Sequence, residues 1–135
     1  TDIAEGWHDH PFKFQALPLV HASRCFGYRL EIDGSVVSYC TDTGYCKNAE
    51  ILSTNANLLI SECAFLSGQQ SDSWPHMNPQ LAAKLAVQSK AQRLALTHFD
   101  AALYTTTTKR KKAQDHAQKI FPDTFSAYDG LRMVI

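Results

Sequence analysis

Apolar and polar positions alternate loosely in the first part of the chain. Phe12 to Val20 (FKFQALPLV) reads as a strand with Pro18 near its end. Phe26–Ile32 and Ser35–Cys40 are two β-rich runs joined by Asp33-Gly34, the strongest short-range signal for a hairpin. Thr41 to Tyr45 (TDTGY) is a turn built on Asp and Gly. Lys47–Ser53 predicts a short helix and Thr54–Asn57 a turn. Leu58-Leu59-Ile60, running into Ser61-Glu62, predicts a buried strand. Leu66–Asn78 is rich in Ser, Gly, Gln, Asp and Pro and reads as a loop. Asn78-Pro79 supplies an N-cap and a first-turn proline for a helix whose Leu81, Ala82, Leu85 and Ala86 share one face. Arg93–Thr97 is a short strand and Thr105–Thr108 a polar loop. Lys109–Phe121 is an amphipathic helix with Ala113, Ala117, Ile120 and Phe121 inward, stopped by Pro122. Thr124–Ala127 and Leu131–Ile135 read as terminal strands joined at Tyr128-Asp129-Gly130, and residues 1–11 as an irregular lead-in. The order β-β-β-α-β-α-β-α-β-β predicts one domain of α/β (α+β) class, a mixed sheet with helices packed on it.

Composition narrows the function classes. A chain of 135 residues with 44% hydrophobic content is long and apolar enough to bury a core. Thirteen basic residues (13 Lys plus Arg) balance 13 acidic ones, so there is no global attraction to nucleic acid or anionic membrane. No apolar stretch is long enough to span a bilayer, and Thr1–His10 has no signal-peptide core. Cys25, Cys40, Cys46 and Cys63 contain no C-x-x-C pair, so a structural zinc site is not expected and a reducing cytoplasm is the simplest compartment. The basic run Lys109-Arg110-Lys111-Lys112 reads as a solvated helix face. Cations at a helix N-terminus are nevertheless unfavourable by about 0.3–1 kcal/mol.

The candidate chemistry lies in where polar residues follow apolar runs. His21 follows Phe12–Val20, Asp42 follows Ser35–Cys40, Glu62 follows Leu58–Ile60, and His98 follows Arg93–Thr97. Ligands and catalytic groups gather at one end of the strands in helix-covered sheets. If those ends converge, His21, Asp42 and His98 offer two imidazoles and a carboxylate, a set suited to zinc, iron or manganese. Taken singly, each has an ordinary reading: a capped histidine, an Asp turn, a strand-end ion pair.

Several segments resemble the metallo-β-lactamase-fold hydrolases, most of all their ribonuclease Z-like branch. Tyr39-Cys40-Thr41-Asp42-Thr43-Gly44 resembles that family's Y-x-G-D-T-G turn, and Leu94–Phe99 its L-x-L-T-H-F segment. Leu19-Val20-His21 followed by Gly27-Tyr28-Arg29-Leu30 is similar to the stretch where a ligand histidine precedes a G-Y-R-I strand. Ile60–Phe65 with His76-Met77-Asn78-Pro79 resembles the E…H-x-T-x segment, and Tyr128-Asp129-Gly130 the usual ending. The resemblance implies half of a four-layer αββα sandwich. It implies His21 on one metal, Asp42 bridging two, His98 on the second, and His76, oriented by Glu62, as proton donor to the leaving group. It further implies two divalent ions, zinc by preference with iron or manganese as alternatives, about 3.5–4 Å apart and activating a water.

Three departures shape the expectation. The family's H-x-H-x-D-H motif is absent. Trp7-His8-Asp9-His10 has only a superficial likeness to it, lies too close to His21, and reads as a loop. His21 and Asp42 lie too close together for the tRNA-gripping arm of ribonuclease Z proper. Thr41 stands where Gly is usual, and Asp100–Tyr104 replaces an S-x-R-Y run. The expected function is metal-dependent hydrolysis of a phosphodiester or other ester on a small-molecule or nucleotide substrate. The site would be completed by a missing N-terminal half, a second chain or a homo-oligomeric partner, and the chain would be inactive alone. The lack of an initiator Met fits a fragment or processed product. Two alternatives stand beside this: a ribonuclease Z-type RNA endonuclease, and a non-catalytic interaction module that retains the fold.

Overall fold

The structure, a computed structural model, describes residues 4–135. Among these, seven strands form one mixed sheet whose spatial order follows chain order. β1 (Gly6–His8), β2 (Lys13–Pro18), β3 (Phe26–Ile32) and β4 (Ser35–Cys40) pair antiparallel in succession. β5 (Leu58–Glu62), β6 (Leu94–Thr97) and β7 (Thr124–Ser126) then add in parallel. Between the parallel strands run α1 (Lys47–Ser53), α2 (Pro79–Ser89) and α3 (Thr107–Gln118), because parallel neighbours need a crossover rather than a tight turn.

Local chemistry sets the corners. The β3–β4 hairpin turns through Asp33 (φ 49°) and Gly34 (φ 79°), the positive-φ pair of a two-residue hairpin loop. Asn78 caps α2 by accepting from the Leu81 N–H at 2.9 Å, and Pro79 opens the first turn. Thr106 does the same for α3, accepting from the Lys109 N–H at 3.3 Å.

The three helices lie on one face of the sheet. Leu52 of α1, Ala82, Leu85 and Ala86 of α2, and Ala113 and Ala117 of α3 form a continuous buried core with Leu59, Leu94, Leu96 and Met77. The other face carries the alternate strand positions. Register places Tyr28, Tyr39, Ile60, Ala95 and Phe125 in one row across five strands, and no helix covers them. The expected α/β class, with one sheet layer and one helix layer, is what the chain forms.

Five expectations are corrected in detail. Residues 1–11 are not wholly irregular: Gly6–His8 is an edge strand, with His8 opposite Phe14 and their rings stacked at 4.6 Å. A three-residue strand is too short to show a periodicity. The strand expected over Phe12–Val20 is the shorter Lys13–Pro18. Leu131–Ile135 is not a strand. After the Tyr128–Leu131 turn the tail crosses the helix-free face, and Leu131 and Ile135 line a cavity of about 480 Å³ with Leu58, Ile60 and Phe125. Thr107 and Thr108 lie inside α3 rather than in a loop, since capping by Thr106 starts the helix early. Ile120 is 43% exposed rather than inward, because α3 ends at Gln118 and helical spacing stops applying. No helix among the described residues is long and apolar enough to cross a membrane.

Candidate active site

Two antiparallel reversals return β4 to the direction of β2, and β5 and β6 run parallel to β4. The carboxyl ends of β2, β4, β5 and β6 therefore lie along one edge. That edge receives His21, Asp42, Glu62 and His98, so convergence is a consequence of topology.

The backbone aims the side chains. Both Asp42 (φ 53°) and His98 (φ 51°) sit in the left-handed region, turning the chain sharply out of the sheet one or two residues past the strand end. The β2 and β4 ends are tied together. Gly44 N–H donates to Val20 C=O at 3.0 Å, and Val20 N–H donates to Thr43 Oγ1 at 3.2 Å. Gly44 can have no side chain, since a Cβ there would meet Pro75 Cβ at 2.9 Å.

Asp42 Oδ1 lies 3.1 Å from His98 Nε2 and 4.0 Å from His21 Nε2. His21 Nδ1 is engaged with Ser23 Oγ at 3.1 Å, which leaves Nε2 facing Asp42. Two imidazole nitrogens converging on one carboxylate oxygen is a donor set that fits a divalent cation. His76 is nearly buried. Its Nδ1 lies 2.9 Å from one oxygen of Glu62 and 3.0 Å from the other. A carboxylate only accepts, so Nδ1 carries the proton and Nε2 is the open nitrogen. The His76 ring centroid is 5.4 Å from that of His21 and 6.1 Å from that of His98.

Glu62 is completely buried. Besides His76 it accepts the backbone N–H of Thr43 and, at 3.0 Å, that of Met77. Glu62, His76 and His98 also place potential ligand atoms within 4.8 Å of one another. Glu62 is the weak member of that set, because its oxygens are committed to three donors. His21 and Asp42 lie outside that group and adjoin it through the contact of Asp42 with His98. All five residues singled out from the sequence thus meet at one edge.

Sequence reasoning gave Thr43 no individual role, although its hydroxyl and N–H bind the β2 end and Glu62 into one unit. Trp74, considered as a pocket residue, packs 6.0 Å from His21 and 5.6 Å from His76, centroid to centroid. Arg110 was read with a solvated face. It instead lines a cavity of about 300 Å³ together with His98. No sequence pattern links a helix residue to a strand-end histidine, so nothing marked it. The four cysteines carry no disulfide, and Cys40 and Cys63 are buried.

Comparison with known proteins follows the same lines. Residues 2–99 match the family model described as the β-lactamase superfamily domain. A ribonuclease Z from Prochlorococcus marinus subsp. pastoris is 37% identical over 102 residues, covering 73% of this chain and 32% of that protein. The probable metallo-hydrolase YhfI of Bacillus subtilis is 35% identical over 89 residues, covering 66% of this chain and 36% of YhfI. The crystal structure of the metallo-β-lactamase fold protein YhfI superposes with a TM-score of 0.79 at 28% identity, covering 92% of this chain and 50% of that one. The chain spans about a third of the length of these curated relatives.

Proposed function

Because this chain belongs to the metallo-β-lactamase superfamily, we propose that it contributes His21, Asp42, His98, His76 and Glu62 to the active site of a metal-dependent ester hydrolase. The single observation that carries the reading is the approach of His98 and His21 to one oxygen of Asp42. In this reading His21, Asp42 and His98 would hold divalent metal, zinc by preference. The remaining ligands come from a segment outside this chain or from a second chain. The bound ions supply Lewis acidity and a water of lowered pKa.

The chain's own residues do the rest. Glu62 fixes the ring of His76 and keeps the proton on Nδ1. When His76 is protonated at both nitrogens, Nε2 faces the edge where His21 and His98 gather and can pass its proton to a departing oxygen. Glu62 keeps the imidazolium compensated without itself leaving its backbone donors. Trp74, itself exposed, stands along one side of that edge against His21 and His76.

Elemental analysis of purified chain, beside an Asp42→Ala, His98→Ala double variant, tests this. Bound zinc, iron or manganese that vanishes in the double variant is the expected result. Metal content unchanged in that variant would overturn the assignment. So would a wild-type chain that stays metal-free after incubation with excess zinc.

A second reading, an RNA endonuclease, is favoured by the relative named ribonuclease Z. It requires a salt-sensitive shift of RNA in a native gel, and balanced charge weighs against it.

A further inference from the structure

We propose that the cavity beside His76 receives the departing alcohol of the ester, and that Asp72 makes it take an uncharged or cationic alcohol in preference to an anionic one. The inference rests on the hydrolase reading above and narrows its leaving group.

Position assigns the role. The cavity, of about 370 Å³, is walled by Val20, Gly44, Tyr45, Asp72, Pro75 and His76 among others. Val20 directly precedes His21, and Gly44 lies two residues past Asp42. The cavity thus adjoins two candidate metal ligands and includes the ring assigned to protonate the leaving oxygen. A separate cavity holds His98, so the edge offers a place for each half of a cleaved ester. In hydrolysis the oxygen of water bonds to the acyl or phosphoryl half. The bond to the alcohol oxygen breaks with its electron pair on that oxygen, which takes its proton from His76. The alcohol is released where His76 stands.

The lining decides which alcohol fits. Val20, Tyr45, Pro75 and Leu81 give apolar walls suited to a compact carbon body. Most charges near the cavity are already answered. His76 faces Glu62 at 2.9 Å. At the Tyr45 wall Lys84 lies over the ring, 5.1 Å from its centroid, while Glu50 accepts the hydroxyl, so opposite charges offset each other. Asp72 is different. It is exposed in the loop before His76 and takes part in no ion pair or side-chain hydrogen bond among the described residues. Its carboxylate repels an anion, attracts an ammonium group and accepts a hydroxyl proton. Salt screens an exposed carboxylate, so the preference is a matter of a few-fold.

The test uses the chain without added metal, at low and constant ionic strength. Three probes share one ring and differ in charge: benzylamine, protonated at neutral pH, benzyl alcohol and benzoate. Each is titrated while the backbone amides of Gly44 and Ser71 are followed by ¹⁵N NMR. Saturable shifts are expected at both, with benzoate bound about threefold or more weaker than benzyl alcohol and benzylamine at least as tight. Asp72→Asn should bring the three within about twofold of one another, and Asp72→Lys should place benzoate above benzylamine. Asp115→Asn, which removes a carboxylate paired with Lys111 on α3, should leave the wild-type order unchanged.

An order of affinities that ignores Asp72→Asn and Asp72→Lys would overturn the proposal. Benzoate bound as well as benzyl alcohol by the wild type also overturns it, as do shifts confined to the helix-free face at Ile60 and Ala95 or no saturable shift at all. The two readings fail separately. Asp72-dependent binding by a chain that never holds metal keeps the alcohol pocket and removes the hydrolase. Metal lost in the Asp42→Ala, His98→Ala double variant, with no probe bound at Gly44 and Ser71, keeps the hydrolase alone.

Discussion

Glu62 serves three donors with two oxygens: the Thr43 turn, the Met77 backbone and the His76 ring. Glu62→Gln puts an NH₂ group against an N–H donor and should cost about 1–3 kcal/mol in urea unfolding. A loss indistinguishable from zero would mean the carboxylate is not what joins these segments. Asp42 behaves differently. Its left-handed backbone is one that Asn also tolerates. Asp42→Asn should therefore keep its thermal midpoint within a few degrees yet lose metal on dialysis, and a large drop in midpoint would contradict this. Burial pushes the Cys40 thiol up to about 11 and the Cys63 thiol up to about 12. Both should resist iodoacetamide at pH 8 in the folded chain and react only on denaturation, which mass spectrometry reads directly. Asp42 and His98 were legible in the sequence because each follows an apolar run. The cavity that Arg110 shares with His98 was not, because the two meet only through the packing of α3 beside the β6 end.

At the scale of elements, the turn after β4 and the loop before α2 are pressed together. Gly44→Ala should force Pro75 away and displace the neighbouring His76 loop, costing about 1–3 kcal/mol. Stability unchanged to within 0.5 kcal/mol, a margin of about the usual surface scatter, would show that the loop yields freely. In α1, Lys47 and then Tyr45 hydrogen-bond Glu50 and hold its carboxyl below the ordinary 4.5. The folded state thus binds fewer protons there than the unfolded chain. That contribution is present above pH 4.5 and disappears as pH falls through the depressed value. Glu50→Gln should flatten the acid limb of a stability–pH curve and leave its neutral region level, as chemical unfolding at a series of pH values would record. The elements themselves were largely readable. Asp33-Gly34 and Asn78-Pro79 carry local chemistry that tertiary structure has no reason to override. The edge strand Gly6–His8 and the tail Leu131–Ile135 were misread because neighbours, rather than their own patterns, decide what they do.

For the whole molecule, the row Tyr28, Tyr39, Ile60, Ala95 and Phe125 leaves a sheet face without helical cover. Tyr39 alone is 41% exposed. Such a face favours association. Light scattering should show concentration-dependent self-association of the isolated chain, reduced when Tyr39→Lys places a charge in the row. A monomer at all concentrations with no response to that change would mean the C-terminal tail covers the face sufficiently. That the chain forms one sheet layer and one helix layer followed from the strand–helix order. Which strand ends share an edge did not, since direction depends on pairings absent from any single segment. The sheet's order has a further consequence for how the chain is built. Every strand docks beside the one made just before it, so during synthesis no arriving strand must wedge between two already paired. Assembly can advance as a growing edge, and trimming from either terminus moves that edge inward by one strand without ever opening a gap in the middle.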